Sequence, residues 1–345
     1  MSLRRLGNPT DRKNSYSQVQ STQLGFALVL VLWVLSLLTI MAGSFALTMR
    51  RETTIVAASR DNAGAIAAAE AGIAYAEMML LHPEQNKRWR ADGNIYQVDF
   101  GDTKTRLRLI AEAGKIDLNK ANLTTLQSLM AHSPASEEQQ AKLAGAIMDW
   151  RDADDLISIE GAEKKEYQDA GLKYQPRNKA FQSVEELQMV LGMDEQLYNW
   201  LEPVTTVYSG QSQVNVKLAS AKVLELLPGM DAGLIDTFVA TRLENAKNDL
   251  PAPEFNAGLA VSGGGGGSGA VTIISEAIMA DETRASVSAT LMKPSALQDA
   301  LEGADQSEPF KVLEWQRNPI NEESLFSDEM GELLVKQYAE PELSD

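Results

Sequence analysis

The 345-residue sequence contains no cysteine and only two histidines. Without cysteine the chain can form no disulfide, no thiolate metal site and no thiol nucleophile. The histidines, His82 and His132, lie far apart beside predicted helix ends or polar loops, so neither is a candidate catalytic base. Basic side chains are in the minority, with 31 Lys and Arg against 48 Asp and Glu. Because nucleic-acid affinity depends on cationic contacts with phosphates, this balance predicts no nucleic-acid partner.

The sequence also lacks the common catalytic motifs. It has neither a Gly-x-Ser-x-Gly nucleophile turn nor a His-Glu-x-x-His metal motif. The glycine-rich run from Gly263 to Gly269 is not followed by Gly-Lys-Ser or Gly-Lys-Thr, so it is no phosphate-binding loop. The densest acidic cluster falls in one loop, whereas a glycosidase places two carboxylates on opposite sides of a cleft. We therefore predict that the protein is not an enzyme.

One apolar run dominates the N-terminal region. Leu24 to Met49 comprises 26 uncharged residues, which as a helix would span about 39 Å, more than the ~30 Å of a bilayer core. A secretory signal has a shorter apolar region, about 7 to 15 residues, so this run predicts a retained membrane span. Residues 1–25 carry four basic side chains and one acidic one. The positive-inside rule therefore predicts that this leader stays in the cytoplasm and that the rest of the chain lies outside.

The helical pattern continues past the apolar run. Ile55 to Leu81 is rich in alanine and meets no helix breaker before Pro83. Apolar residues recur in it at spacings of three and four, at Ile66, Ala69, Ile73, Ala76 and Leu80. This spacing is typical of a helix packed on a folded domain. Glycines at positions 64 and 72 are expected to weaken the helix.

Two groups of strand patterns flank a helical block. The first group, within 83–114, alternates residue types around a turn at Gly101. The second group lies within 271–318. Between them, 115–256 follows helical spacing and 257–270 forms a glycine-rich loop. Because a two-stranded hairpin alone is only marginally stable in water, the early strands are expected to join the late ones in one sheet.

These patterns together predict an α+β fold. A long N-terminal helix, 26–82, is expected to pack on an antiparallel sheet into which a large all-helical domain is inserted. Residues 319–345 are expected to form an acidic C-terminal tail that is frayed from Glu329 onward. Lys115 to Ala121 is echoed by Gln213 to Ala219, which indicates an internal repeat.

The second copy of the repeat continues into a short hairpin. Leu227-Pro228-Gly229-Met230-Asp231 is similar to the hairpin of helix-hairpin-helix modules, whose backbone amides bind DNA phosphates. Those modules usually have a second glycine where this chain has Asp231, whose carboxylate repels a phosphate. The hairpin is therefore interpreted as a structural turn.

A cluster of acidic residues is the strongest chemical candidate. Its members are Asp149, Asp152, Asp154 and Asp155, with Glu163 shortly after them. Like charges this close must be hydrated, paired or neutralised by a cation. Calcium suits such a cluster because it takes six to eight oxygen ligands in flexible geometry. The order is not that of an EF-hand, since Leu156 and Ile157 stand where a third ligand and the turn glycine belong. A solvated helix end paired with neighbouring Arg and Lys side chains explains the composition equally well.

The N-terminal features resemble a known family. The basic leader, Gly25 before Phe26, the apolar run and its amphipathic extension together resemble a type II secretion pseudopilin, a type IV pilin-like subunit. The resemblance implies that a prepilin peptidase cuts between Gly25 and Phe26 and methylates the new amino terminus. Most members carry glutamate at the fifth mature position, where it can offset the terminal ammonium of a neighbouring subunit, whereas this chain has Leu30. Leucine cannot neutralise that amine, so such a subunit fits the top of the stack, as the long K minor pseudopilins do.

The acidic segment strengthens this resemblance. Asp149 to Asp155, followed by Gly161-Ala162-Glu163 and Tyr167, is similar to the K pseudopilins, whose inserted helical domain binds calcium. The resemblance therefore implies a structural Ca²⁺ ion with ligands among Asp149, Asp152, Asp154, Asp155 and Glu163.

The same resemblance implies a place in a secretion machine. It implies a minor pseudopilin in the inner membrane with its C-terminal domain in the periplasm. This subunit would assemble through its N-terminal helix with the I and J minor pseudopilins, and would initiate and cap the type II secretion pseudopilus in protein export. A minor tip pilin of a type IV pilus is the alternative, and a membrane-tethered DNA-uptake receptor is a third possibility.

Overall fold

The computed structural model describes residues 23–255, 269–293, 310–319 and 323–339. The predicted leader up to residue 22 and nearly all of the glycine-rich loop lie outside the described residues. The chain divides into two units, Met1–Arg60 and Asp61–Asp345. Helix α1, Gln23–Leu80, is 58 residues long and contributes to both.

In the first unit, the described side chains of α1 from Phe26 onward are all exposed. Within the part of the chain that the structure describes, Phe26–Leu80 is the one helix long and apolar enough to cross a membrane, with a mean hydropathy of 2.5 in its most apolar window. The hydroxyl of Thr39 donates to the carbonyl of Leu35 at 2.8 Å, one turn back. Its polar group is therefore satisfied within the helix, as a lipid environment requires.

In the second unit, the end of α1 packs on a sheet. Ala69, Ile73 and Ala76 are buried, as predicted. Gly72 lies on the same face, where an added Cβ would lie 2.7 Å from Ser275 Oγ and 2.9 Å from Thr105 Cγ2. The missing side chain of this glycine lets the helix approach the strands closely, a packing role that the sequence did not predict.

The main sheet has six strands in the order β7-β6-β5-β2-β1-β8. The strands are β1 Asp92–Phe100, β2 Thr103–Ala111, β5 Ala270–Ile278, β6 Arg284–Met292, β7 Lys311–Arg317 and β8 Leu334–Tyr338. All neighbouring pairs are antiparallel except β1 and β8, which are parallel. Strands before and after the helical block thus share one sheet, because β2 pairs with β5.

Strand β2 shows how the sequence sets the two faces of the sheet. Leu107 and Leu109 are fully buried in the core shared with α1. Arg106 and Arg108 alternate with them and therefore project from the opposite face. The turn into β2 uses Gly101, whose φ of +61° lies in the left-handed region that favours glycine.

The predicted frayed tail is wrong within the described residues. Helix α8, Asp328–Glu332, and strand β8 follow residue 319, and β8 joins the sheet beside β1. Leu325 is 2% exposed, and its N–H donates to the buried carboxylate of Glu276 at 2.6 Å. The prediction failed because it relied on the acidic composition of this segment and overlooked its apolar residues, such as Leu325, which are buried against the sheet.

The helical block has a core of its own, distinct from the core between α1 and the sheet. Its helices are α2 Leu123–Ala131, α3 Glu137–Arg151, α4 Lys164–Asp169, α5 Glu195–Leu201, α6 Ala221–Leu226 and α7 Ala232–Lys247. Two short parallel strands, β3 Ile116–Asp117 and β4 Thr205–Thr206, lie among them. The predicted α+β class is confirmed.

The two repeat copies adopt the same local structure. Asp117 Oδ1 accepts from the N–H two residues on at 2.8 Å, and Asn215 Oδ1 does so at 3.1 Å. In each copy an arginine from the second helix, Arg151 or Arg242, donates to carbonyls of this turn. In the second copy, Asp231 Oδ1 accepts from the N–H of Leu234 at 3.0 Å and so caps α7. A carboxylate thus occupies the helix end at which a phosphate would bind.

Candidate metal centre

The acidic loop joins α3 to α4, and both of its ends are anchored. At the end of α3, the guanidinium of Arg151 donates to the carbonyls of Leu118 and Ala121. At the start of α4, Glu166 Oε2 accepts from the N–H of Glu163 at 3.0 Å. The residues between these points therefore form a loop of defined shape.

Asp149 lies beneath this loop and is completely buried. Its two carboxylate oxygens accept from the N–H of Ser158 at 3.1 and 3.2 Å. An added Cβ at Gly161 would lie 2.0 Å from Asp149 Oδ2, and one at Gly145 would lie 2.7 Å from the nitrogen of Gly161. The loop can fold over α3 because both of these positions lack a side chain.

Glu163 is the most unusual group of the site. The residue is 6% exposed, and neither carboxylate oxygen has a hydrogen-bond partner of normal geometry, although the carboxylate lies beside the first backbone N–H groups of α4. Burial, together with the negative charges of Asp149, Asp152 and Asp155, raises the pKa of Glu163 to about 7. A buried ionised carboxylate without a partner is costly, and a positive charge beside Glu163 would offset that cost.

Asp152 shares this environment. Its Oδ1 atom is buried and has no hydrogen-bond partner. Burial, and then the charges of Asp149 and Asp154, raise the pKa of Asp152. The acidic residues predicted from the sequence therefore interact electrostatically with one another.

Asp154 and Asp155 are held from across the loop by Asn178. The amide of Asn178 donates to the carbonyl oxygen of Asp154 at 2.9 Å and to Asp155 Oδ1 at 2.8 Å. Its own Oδ1 atom is buried and has no partner. Asn178 was not predicted, because nothing in its sequence surroundings separates it from any other polar loop residue.

The donor set fits calcium, but the carboxylates do not yet converge on one point. Oxygens of Asp152, Glu163 and Asn178 are buried without partners, and hard oxygen donors are those that Ca²⁺ prefers. Among the described residues, however, no three Asp, Glu or His side chains lie close enough to hold a metal ion. Binding of one cation by three of these carboxylates would require the loop to draw together.

The predicted cleavage site lies at the start of α1. Gly25 and Phe26 fall in its first turn, and the Phe26 side chain is 74% exposed. Leu30 lies one turn further on and is also exposed.

Comparison with known proteins assigns the segment that carries the acidic loop. Residues 105–210 match the family described as "Type II secretion system (T2SS), protein K". The resemblance predicted from the leader and the acidic loop is therefore confirmed at the level of the family.

A curated relative and a solved structure accompany this match. The type II secretion system protein K of Pectobacterium carotovorum subsp. carotovorum is 26% identical over 130 residues, which cover 34% of this chain and 40% of the relative. The chain thus aligns with less than half the length of that relative. A chain in the crystal structure of the GspK-GspI-GspJ complex from enterotoxigenic Escherichia coli is 15% identical with a TM-score of 0.49, and the match covers 79% of this chain and 99% of that one.

Proposed function

We propose that this chain is a minor pseudopilin that ends the pseudopilus of a type II secretion machine, with a helical domain stabilised by calcium. The protein K match, residues 105–210, includes the whole acidic loop. The apolar part of α1 supplies the membrane anchor that a pseudopilin needs.

The observation that carries the calcium proposal is the buried and unpartnered carboxylate of Glu163. A bound Ca²⁺ ion would supply the positive charge that this group and its acidic neighbours lack. Asp149, Asp152, Asp154, Asp155 and Glu163 are the proposed ligands. Asp149 already holds the loop by accepting from the N–H of Ser158, so an ion bound there would strengthen an existing link between the loop and α3.

Leu30 supports a position of the subunit at the filament tip. A subunit below another one needs a carboxylate to pair with the terminal ammonium of its neighbour, since an unpaired charge at that depth costs about 2.5 kcal/mol or more. Leu30 cannot provide one, so this chain belongs above its neighbours. We propose that its partners there are I and J type minor pseudopilins, contacted through α1.

The proposed maturation has a direct test. The chain is made together with a prepilin peptidase, and its intact mass and N-terminal sequence are measured. A product that begins at Phe26 with a methylated amine supports the pseudopilin assignment. An uncut chain, or one cut within the apolar run, would show instead a simple membrane anchor or a secreted protein.

The calcium site is tested by two glutamates of the same loop. Glu163→Gln removes the buried carboxylate, whereas Glu160→Gln changes an exposed one and serves as the control. In the parent protein a calcium concentration of 100 times Kd would raise the free energy of unfolding by about 2.7 kcal/mol. Glu163→Gln is expected to lose most of this gain and Glu160→Gln to keep it. Equal calcium responses of the parent and both variants would contradict the proposal.

A further inference from the structure

The two repeat copies of the helical block differ in the source of one carboxylate. Asp117 of the first copy corresponds to Asn215 of the second. Burial lowers the pKa of Arg151, and the charge of Asp117 opposes this shift. Burial also lowers the pKa of Arg242, the counterpart of Arg151, but there the opposing charge comes from Asp92. Asp92 is the first residue of β1, so an acid of the sheet acts on an arginine of the helical block.

Asp92 lies in an unfavourable environment for a negative charge. The residue is 4% exposed, and neither of its carboxylate oxygens has a hydrogen-bond partner of normal geometry, although the carboxylate lies near the N–H of Asn94. An ionised carboxylate buried in this way is costly, whereas the protonated form carries no charge to solvate. Burial accordingly raises the pKa of Asp92, and the charges of Arg242 and Arg90 oppose this shift without cancelling it.

The two guanidinium groups are bonded to the helical block and not to this carboxylate. Arg242 is 4% exposed and donates to the carbonyls of Lys217 and Ala219 at 3.1 and 2.7 Å. Arg90, just before β1, donates to the carbonyl of Leu250, and its Nη1 atom is buried without a partner. Arg242 thus holds the start of the second repeat, and Arg90 ties its end to the sheet.

Other charged or titratable side chains of the neighbouring strands are engaged elsewhere. Arg108 of β2 donates to the carbonyl of Gly93 at 3.3 Å, and Lys336 of β8 pairs with Asp249. Tyr96, which interacts electrostatically with Asp92, accepts from a backbone N–H through its hydroxyl at 3.0 Å. In the described part of the chain, therefore, the charges that act on Asp92 come from the two arginines.

We propose that Asp92, Arg90 and Arg242 form a proton-controlled joint, which holds the second repeat, 213–250, on the sheet at acidic pH and loosens it as pH rises. An ionised carboxylate attracts a guanidinium more strongly than a neutral carbonyl does. Ionisation of Asp92 therefore draws both arginines away from the carbonyls that they hold in the second repeat.

The direction of the pH effect follows from linkage. The pKa of Asp92 is higher in the closed joint than in water, so protonation favours the closed joint. This stabilisation is fully present below the ordinary pKa of an aspartate and is lost as pH rises through the raised value.

The test is hydrogen exchange of the full-length protein in detergent at pH 4 and pH 8, measured by mass spectrometry and corrected for the chemical exchange rate. The reporting segment is 213–219, where the N–H groups of Leu218 and Ala219 donate to the carbonyl of Asn215. The matched control segment is 115–121 of the first repeat. Its acid, Asp117, already accepts from Ser209 Oγ at 2.8 Å.

We expect protection of 213–219 to fall from pH 4 to pH 8 by about tenfold for each unit by which the pKa of Asp92 is raised. Asp92→Asn removes the charge and should keep the protection at pH 8. Asp102→Asn removes an exposed charge in the turn after β1 and should behave as the parent does.

Two results would overturn the joint. One is protection of 213–219 that falls no more than that of 115–121, or that rises with pH. The other is an equal loss of protection in the parent and in folded Asp92→Asn. If Asp92→Asn does not fold, the comparison of the two repeats in the parent decides. Every contact of the joint lies within this chain, so neither result bears on the proposed place in a secretion machine.

Discussion

Two glycines on one helix are expected to respond to alanine in opposite ways. Gly72 faces the sheet, where an added Cβ would lie 2.7 Å from Ser275 Oγ, 2.9 Å from Thr105 Cγ2 and 3.1 Å from Leu107 Cδ2. Gly64 lies two turns earlier on an exposed part of α1, and its nearest neighbour is a methionine Cε atom at 3.4 Å. The same chemical change therefore meets a packed interface at Gly72 and only ordinary van der Waals contact with the end of the flexible Met279 side chain at Gly64.

The expected magnitudes follow from two opposing effects. Alanine in place of glycine favours a helix interior by about 1 kcal/mol. Overpacking a core costs about 1 to 3 kcal/mol, and Gly72→Ala belongs in the upper half of that range because the β-branched Thr105 cannot easily move. We therefore expect Gly72→Ala to lower the free energy of unfolding by about 1 to 2 kcal/mol. Gly64→Ala is expected to raise it by up to about 1 kcal/mol.

The assay is thermal unfolding of the full-length protein in detergent, followed by the near-ultraviolet signal of buried Trp89. For a unit of this size 1 kcal/mol corresponds to about 2 to 4 °C in Tm. Gly72→Ala should therefore lower Tm by about 2 to 8 °C, while Gly64→Ala should raise it by up to about 4 °C. If Gly72→Ala raises Tm as much as Gly64→Ala does, the close approach of α1 to the sheet is refuted.

Three other changes test separate parts of the molecule. Burial raises the pKa of Asp92, although the charges of Arg242 and Arg90 oppose this shift. Ionisation of Asp92 therefore lowers the stability of the fold as pH rises. In urea titrations Asp92→Asn should stabilise the protein more at pH 7 than at pH 4. Gly161→Ala places a methyl group against Asp149 and should abolish calcium-dependent stabilisation in calorimetry. A calcium response equal to that of the parent would show that the loop does not pack on Asp149. Leu30→Glu should leave secretion nearly unchanged if the chain is a tip subunit. Deletion of 115–255 should lengthen pseudopili, and an unchanged filament length after this deletion would refute capping.

The sequence alone determined the features that depend on neighbouring residues. The apolar run, its amphipathic extension and the absence of a helix breaker before Pro83 predict the length of α1. Alternation of residue types predicts the strands, because these periodicities are properties of the local backbone. The acidic cluster was also predicted from the sequence, because four aspartates lie within the seven residues 149–155. The α+β class and the family resemblance followed from the order of these local patterns.

Only the tertiary structure decided which residues meet across long separations. It placed Asn178 against Asp154 and Asp155, and it returned the acidic C-terminal segment to the sheet as β8. It also showed that Gly72 lies where α1 approaches the sheet closely. Burial, charge coupling and close packing arise between segments distant in the chain, so local composition carries no signal for them.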